Sequence, residues 1–190
     1  MKLITSEGIK LREFYIPPFT IHRGEIVVIR LPEGAYFREL LFELVPILTG
    51  ERIYPGVEPD KSFRYVRHIE ESRWRSLLFP LLVKRYISRN ANPHSEISKL
   101  AIDDRVTPDT KICSLAWTQR KKVSLFTELS WSDRIIFDLM GIDLAGAEEI
   151  CTLIKRYTIP SGAAILIDYY DELSDVRTQL IEFQYQPDAG

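Results

Sequence analysis

Three groups of residues have the types and spacing to do chemistry. The first is the stretch GEIVVIRLPEGAYFREL, Gly24 to Leu40, in which an apolar run (Ile26, Val27, Val28, Ile29) enters a Pro/Gly turn and then a helix-like segment. That is the outline of a phosphate-binding loop. Such a loop needs glycines that let main-chain N–H groups approach phosphate, a lysine for the β/γ charge and a hydroxyl for Mg²⁺. The lysine and the hydroxyl are missing. The second is Asp138, directly after the apolar run of Arg134–Phe137, where a carboxylate can hold a metal ion or cap a turn. The third is Trp74 with Arg64, Arg67, Arg73 and Arg75 near it in sequence. Exposed aromatic and arginine side chains anchor protein interfaces, although a basic helix face is also the ordinary way to meet solvent.

Other chemistries lack support. His22, His68 and His94 are scattered without Cys or carboxylate in ligand spacing, and Cys113 and Cys151 lie far apart, so no zinc site is expected. No Ser/His/Asp set is recognisable from sequence, which removes nucleophilic hydrolysis. With 25 Lys+Arg against 27 Asp+Glu the net charge is −2, and no basic field exists to recruit nucleic acid. Two unpaired-looking cysteines suit a reduced, cytoplasmic setting. There is no signal-peptide core at the N-terminus and no apolar run of the roughly 20 residues that a membrane span requires. Any membrane association is expected to be indirect, through a partner at the inner face.

The elements that must position these residues follow from periodicity. Leu3–Thr5, Ile9–Phe14 and Phe19–Ile21 read as short N-terminal strands, broken at Pro17–Pro18 and at the turn of Arg23–Gly24. Ile26–Ile29 has the β-branched continuity of a strand covered on both faces. From Tyr36 to Leu48, Phe37, Leu40, Leu41, Leu44, Val45 and Leu48 recur at helical spacing, and Pro46 is expected to kink or shorten the last turn. Ser62–Glu70 reads as a strand and Ser72–Arg89 as an amphipathic helix interrupted near Pro80. Ile97–Ile102 reads as a short helix, Ser114–Leu129 and Ala145–Tyr157 as longer ones, and Glu172–Val176 as a helical turn. Arg134–Phe137, Ala163–Ile167 and Gln179–Phe183 complete the strands. Alternating strands and helices predict an α/β sandwich around a mainly parallel sheet.

In order and spacing these segments resemble the nucleotide-binding domain of ABC-type ATPases, over about Gly24 to Phe183. GEIVVIRLPEGAYFRELLFELVPILTGERIYPG aligns without gaps with that family's glycine–glutamate turn, phosphate loop and first helix. SLAWTQRKKVSLFTELSWSDRIIFD is similar to the signature helix and the Walker B strand, GIDLAGAEEICTLIKRY to the D-loop and its helix, and GAAILIDYYDELSDVRTQLIEF to the switch region. The resemblance implies a P-loop NTPase-like α/β fold with N-terminal antiparallel strands. It also implies one domain over 1–190, with a core of about 1–66 and 112–190 and a reduced helical insert at about 67–111.

Carried over residue by residue, the resemblance implies that nucleotide chemistry has been replaced. Of the loop glycines only Gly34 is kept; Leu31 and Tyr36 stand at the others, Phe37 at the lysine, and Arg38 and Glu39 at the hydroxyls. Asp138 matches the Walker B aspartate, but Leu139 follows where a catalytic glutamate is required to polarise water. Tyr170 stands at the switch histidine, with Asp171 behind it, and the Gln-loop glutamine near His68–Glu71 is absent. In the signature, Ala116, Trp117 and Thr118 replace serine and two glycines between Leu115 and Gln119. The indole is expected either to pack against its helix or to serve as a protein-contact anchor. Asp143 and Asp171 are expected to be local caps.

The expected function is that of a non-catalytic subunit with no cofactor. Its partner would be an active ABC ATPase subunit, a transmembrane permease or a second copy, and it would not bind nucleic acid. Two other readings stay open: a free-standing scaffold or regulatory protein, and a divergent active ATPase that uses Asp138 and Arg38 or a group supplied by a partner.

Overall fold

The computed structural model describes residues 1–72, 74, 78–99, 106–169 and 177–186. Its centre is a five-stranded sheet in the order β10-β5-β9-β8-β7. The strands are β5 (Ile26–Arg30), β7 (Arg64–Tyr65), β8 (Arg134–Phe137), β9 (Ala163–Asp168) and β10 (Gln179–Glu182). All four pairings are parallel.

Period-two alternation sends successive side chains to opposite faces, and both faces are buried, which accounts for the unbroken apolar runs. Val27, Ile29, Ile136, Ile165 and Ile167 join one core with the apolar stripe of helix α1 (Ala35–Leu48). Ile26, Val28, Ile135, Phe137, Ala164 and Leu166 join the other, with helices α3 (Trp117–Leu129) and α4 (Leu144–Thr158). A smaller third cluster (Ile69, Val83, Ile112, Leu115 and Val123) ties the short helix α2 (Val83–Asn90) to the start of α3.

Strands β1 (Lys2–Ser6), β4 (Phe19–His22) and β6 (Val57–Glu58) form an antiparallel sheet in the order β4-β1-β6. Strands β2 (Ile9–Leu11), β3 (Phe14–Ile16) and β11 (Gln184–Tyr185) form another, in the order β11-β3-β2.

Several segments differ from the expectation of the sequence. Ile9–Phe14 is not one strand but the start of a hairpin, because Arg12 adopts a φ of 56° and reverses the chain. Pro46 does not cut α1 short. The helix runs to Leu48, and the carbonyl that Pro46 presents accepts the N–H of Arg52 at 2.8 Å. Ser62–Glu70 pairs over only two residues, with the N–H of Val66 extending the ladder to the Ile136 carbonyl at 2.8 Å. The segment expected as Ile97–Ile102 is a 3₁₀ turn at Glu96–Lys99, and the rest of it lies outside the described residues. So does the expected turn at Glu172–Val176. Asp143 is the N-cap of α4, its Oδ1 accepting the Gly146 N–H at 2.8 Å.

Candidate functional site

In a parallel sheet the carboxyl ends of neighbouring strands open on one edge, where open α/β folds bind ligands. Here that edge carries the loop after β5, Asp138 after β8 and Asp168 at the end of β9.

The loop after β5 begins at Leu31, which is buried and donates its N–H to the Asp168 carbonyl at 3.0 Å. Gly34 precedes the first turn of α1 with φ 97° and ψ −150°, a conformation that no side chain tolerates well. A Cβ there would meet nothing within 4 Å, so the glycine answers to backbone conformation and not to crowding. The first turn then points four side chains in four directions. Tyr36 is half exposed and tilts against Phe14 at 5.9 Å. Phe37, 3% exposed, turns inward and meets the edge of Tyr169 at 5.1 Å. Arg38 lies over the ring of Phe42 and stands 3.6 Å from Glu70. Glu39 pairs with Arg12 of the β2–β3 turn, whose Nε also reaches Glu43 at 3.0 Å. The two charged groups of this turn are thus engaged at the surface, and its aromatic groups in packing.

Asp138 is of another kind: the carboxylate is fully buried. Oδ2 accepts from Lys121 Nζ at 2.9 Å and from the Tyr65 hydroxyl at 2.7 Å. Oδ1 accepts from the Met140 N–H at 3.1 Å, and His68 Nε2 stands 3.5 Å away. Lys121 is itself 0% exposed and also donates to the Val66 carbonyl at 2.9 Å. Burial pushes the Asp138 carboxyl up. The Lys121 charge, with the neighbouring His68 and hydrogen bonds from Lys121 and Tyr65, outweighs that and holds it well below the usual carboxylate range. Burial lowers the Lys121 ammonium, against the opposing pull of Asp138. Burial, reinforced by the adjacent carboxylate, drives the Tyr65 hydroxyl far up and keeps it a donor.

The sequence pointed to neither Lys121 nor His68. His68 has a carboxylate partner after all, supplied by Asp138 across 70 positions of chain. For Lys121 one local signal was present: it heads the row Lys121, Leu125, Leu129 on the buried face of α3, where lysine has no ordinary place. Leu139 is buried, with no polar group at the position after Asp138.

At the start of α3, Leu115 is buried and Ala116 is the N-cap. Alanine has no oxygen for the helix N–H groups; Gln119 Oε1 accepts the Ala116 N–H at 3.2 Å, which makes half a capping box. Thr118 packs so closely on α4 that a Cβ at Gly146 would fall 2.3 Å from its Oγ1. Trp117 is 52% exposed, with the His68 ring set edge-on at 5.5 Å and the Arg120 guanidinium over it at 5.4 Å.

Among the proposed contact residues, Trp74 is 77% exposed, with Leu78 and Phe79 also exposed. Arg67 lines an open cavity of about 540 Å³ with His68, Glu71, Tyr86 and Arg89. Arg64 is occupied instead, bonding Glu128 at 2.7 Å beneath the Trp131 ring. Arg73, Arg75, Tyr170 and Asp171 lie outside the described residues. No group of three or more His, Cys, Asp or Glu side chains suited to a metal ion occurs among the described residues.

No family model matches the sequence, and no curated protein matches it. Solved structures do match. A transporter described as being of the metal-chelate ABC type, in an inward-facing conformation, superposes with a TM-score of 0.70 at 16% identity, over 97% of this chain and 84% of that one. The fold is that of an ABC-type ATP-binding domain. CbiO1 from Clostridium perfringens, part of the ABC transporter complex cbiONQ, gives 0.68 at 16% identity, over 98% and 86% of the two chains. A nucleotide-free ATP-binding cassette from an ABC transporter gives 0.67 at 14% identity, over 96% and 87%. The ABC-type topology accounts for the mostly parallel central sheet and the antiparallel N-terminal strands, as expected from the sequence. No helix among the described residues is long and apolar enough to cross a membrane.

Proposed function

We propose that this protein is a non-catalytic ABC-ATPase-like subunit, a structural or regulatory partner within an ABC transporter or ATPase assembly. It works in the cytoplasm and meets the membrane through its partner. The observation that carries the proposal is Phe37. In an ABC-type loop that position supplies the ammonium for the β- and γ-phosphates, and here it is a buried ring held edge-on by Tyr169. A phosphate chain at Gly34 would meet Glu39 and no lysine, with Arg38 turned to Phe42 and Glu70. Anions at helix N-termini are held by main-chain donors and by charge together, and the charge is lacking. Leu139 offers no carboxylate to orient a water molecule.

The fold and its docking surfaces do not depend on that site, since core burial stabilises the sheet whether or not a ligand is present. Trp74, Leu78 and Phe79 are large apolar groups left in solvent, and Phe79 lines a cavity with Arg85 and Arg89, the composition of an interface anchor. CbiO1 is part of a multi-protein complex, which fits a role through partners. The test is isothermal titration with ATP·Mg²⁺, which gives no binding heat on this account; a micromolar dissociation constant refutes it. Purification from native membranes recovers a permease or an intact ATPase subunit if the partner is a transporter. It recovers neither if the chain is a free-standing scaffold.

A further inference from the structure

We infer that Lys121 is a tethered cation, which does permanently and from within the chain the holding task that a diffusible metal ion would do at Asp138. The inference rests on the reading of a subunit that works without nucleotide, and it concerns a different residue. One ammonium joins three elements. It leaves α3, meets the Val66 carbonyl just after β7 at 2.9 Å, and meets Asp138 Oδ2 just after β8 at 2.9 Å. Tyr65 donates to the same carboxylate oxygen and Met140 to the other.

An ABC-type aspartate at this point would be expected to face a hydrated divalent cation. These residues do not fit one. A divalent ion on Asp138 would either displace the ammonium, leaving a fully buried lysine with only the buried Asp168 carboxylate as counter-charge, or share one carboxylate with it. Both arrangements put unbalanced positive charge in a low-dielectric interior. A hard divalent cation also requires several oxygen ligands, whereas His68 is an imidazole and the Tyr65 hydroxyl and Met140 N–H present protons to the carboxylate. The donor set is complementary to a carboxylate that already has its cation. The consequence is mechanical: α3 stays docked on β7 and β8 whatever the metal or nucleotide concentration, and the surface around Trp117 is held in one arrangement for a partner.

The experiment is chemical rescue read by thermal unfolding of the full chain. Lys121→Ala lowers Tm by about 10 °C and leaves a cavity the size of the lost arm. Propylammonium chloride restores part of that loss, whereas tetramethylammonium chloride at equal ionic strength restores none. Lys121→Met keeps the volume without the charge, stays destabilised and responds to neither salt. Mg²⁺ and Mn²⁺ leave the wild-type Tm unchanged. The inference is overturned if Lys121→Met is as stable as wild type, if both salts rescue Lys121→Ala equally, or if Mn²⁺ raises the wild-type Tm. Should Lys121→Ala fail to fold, the wild type still decides. Its ¹⁵N-lysine spectrum shows one slowly exchanging ammonium signal, and its absence overturns the inference. Nucleotide titration of the wild type bears on the proposed function alone, and the amine rescue on Lys121 alone.

Discussion

Two stations on the same edge of the sheet have been settled by opposite means. At the first turn of α1 the polar positions face water: Glu39 pairs with Arg12, Arg38 stands near Glu70, and Phe37 alone goes inside. At the end of β8 the polar groups are sealed, with a lysine, a tyrosine and a histidine arranged about one buried carboxylate. Exposed pairs of the first kind contribute little to stability. Buried pairs of the second kind are expensive to break from one side, at about 3–5 kcal/mol, because the surviving partner is left as an unpaired buried charge. The contrast separates a place where aromatic side chains pack at the head of a helix from one where a buried charge is neutralised internally.

The largest effect is expected at the sealed station. Asp138→Ala strands Lys121 and should cost about 4 kcal/mol in urea unfolding. The double replacement Lys121→Met with Asp138→Leu should recover most of that, since an apolar pair of similar volume often equals a buried ion pair. A double-mutant cycle with no coupling between the two sites would erase the distinction between the stations.

Next comes Phe37→Ala, which removes a buried ring from against Tyr169 and should cost about 3 kcal/mol. It should do so without conferring any affinity for ATP·Mg²⁺. A gain of nucleotide affinity would mean that the ring merely blocks a site that is otherwise competent.

Acid unfolding sharpens the comparison further. The Asp138 carboxyl sits below its unfolded value of about 4. Its contribution is therefore complete above that pH and is lost as pH falls through the lower folded value. Urea midpoints measured from pH 6 downward should fall steeply below about pH 4 in the wild type. Asp138→Asn should flatten that part of the curve.

The smallest effect on stability is expected at the surface. Trp74→Ala should change unfolding free energy by no more than about 0.5 kcal/mol, yet it should reduce recovery of the partner in membrane pull-downs. Loss of stability without loss of partner would return Trp74 to an ordinary structural role.

Legibility in the sequence divided along the same line. The loop could be read from contiguous residues, because the type and order of Leu31, Gly34, Tyr36, Phe37, Arg38 and Glu39 are local facts, and α1 follows from a 3.6-residue stripe. The strands β5, β8 and β9 were visible as apolar runs since both of their faces are covered. The ion pair was not visible. Lys121 and Asp138 sit on different elements, and only the docking of α3 over the sheet brings them together. His68 is hidden for the same reason, its carboxylate lying far along the chain. The hairpin at Arg12 is invisible in composition because a positive φ at a residue other than glycine leaves no mark there.

We propose that this ABC-type fold stands without nucleotide. That is tested most directly by thermal unfolding of the wild type at increasing ATP·Mg²⁺. A ligand at one hundred times its dissociation constant stabilises a native protein by about 2.7 kcal/mol, which for a chain of this size raises Tm by several degrees. The expected Tm does not move; a rise that saturates with ATP·Mg²⁺ would contradict a fold that stands without nucleotide.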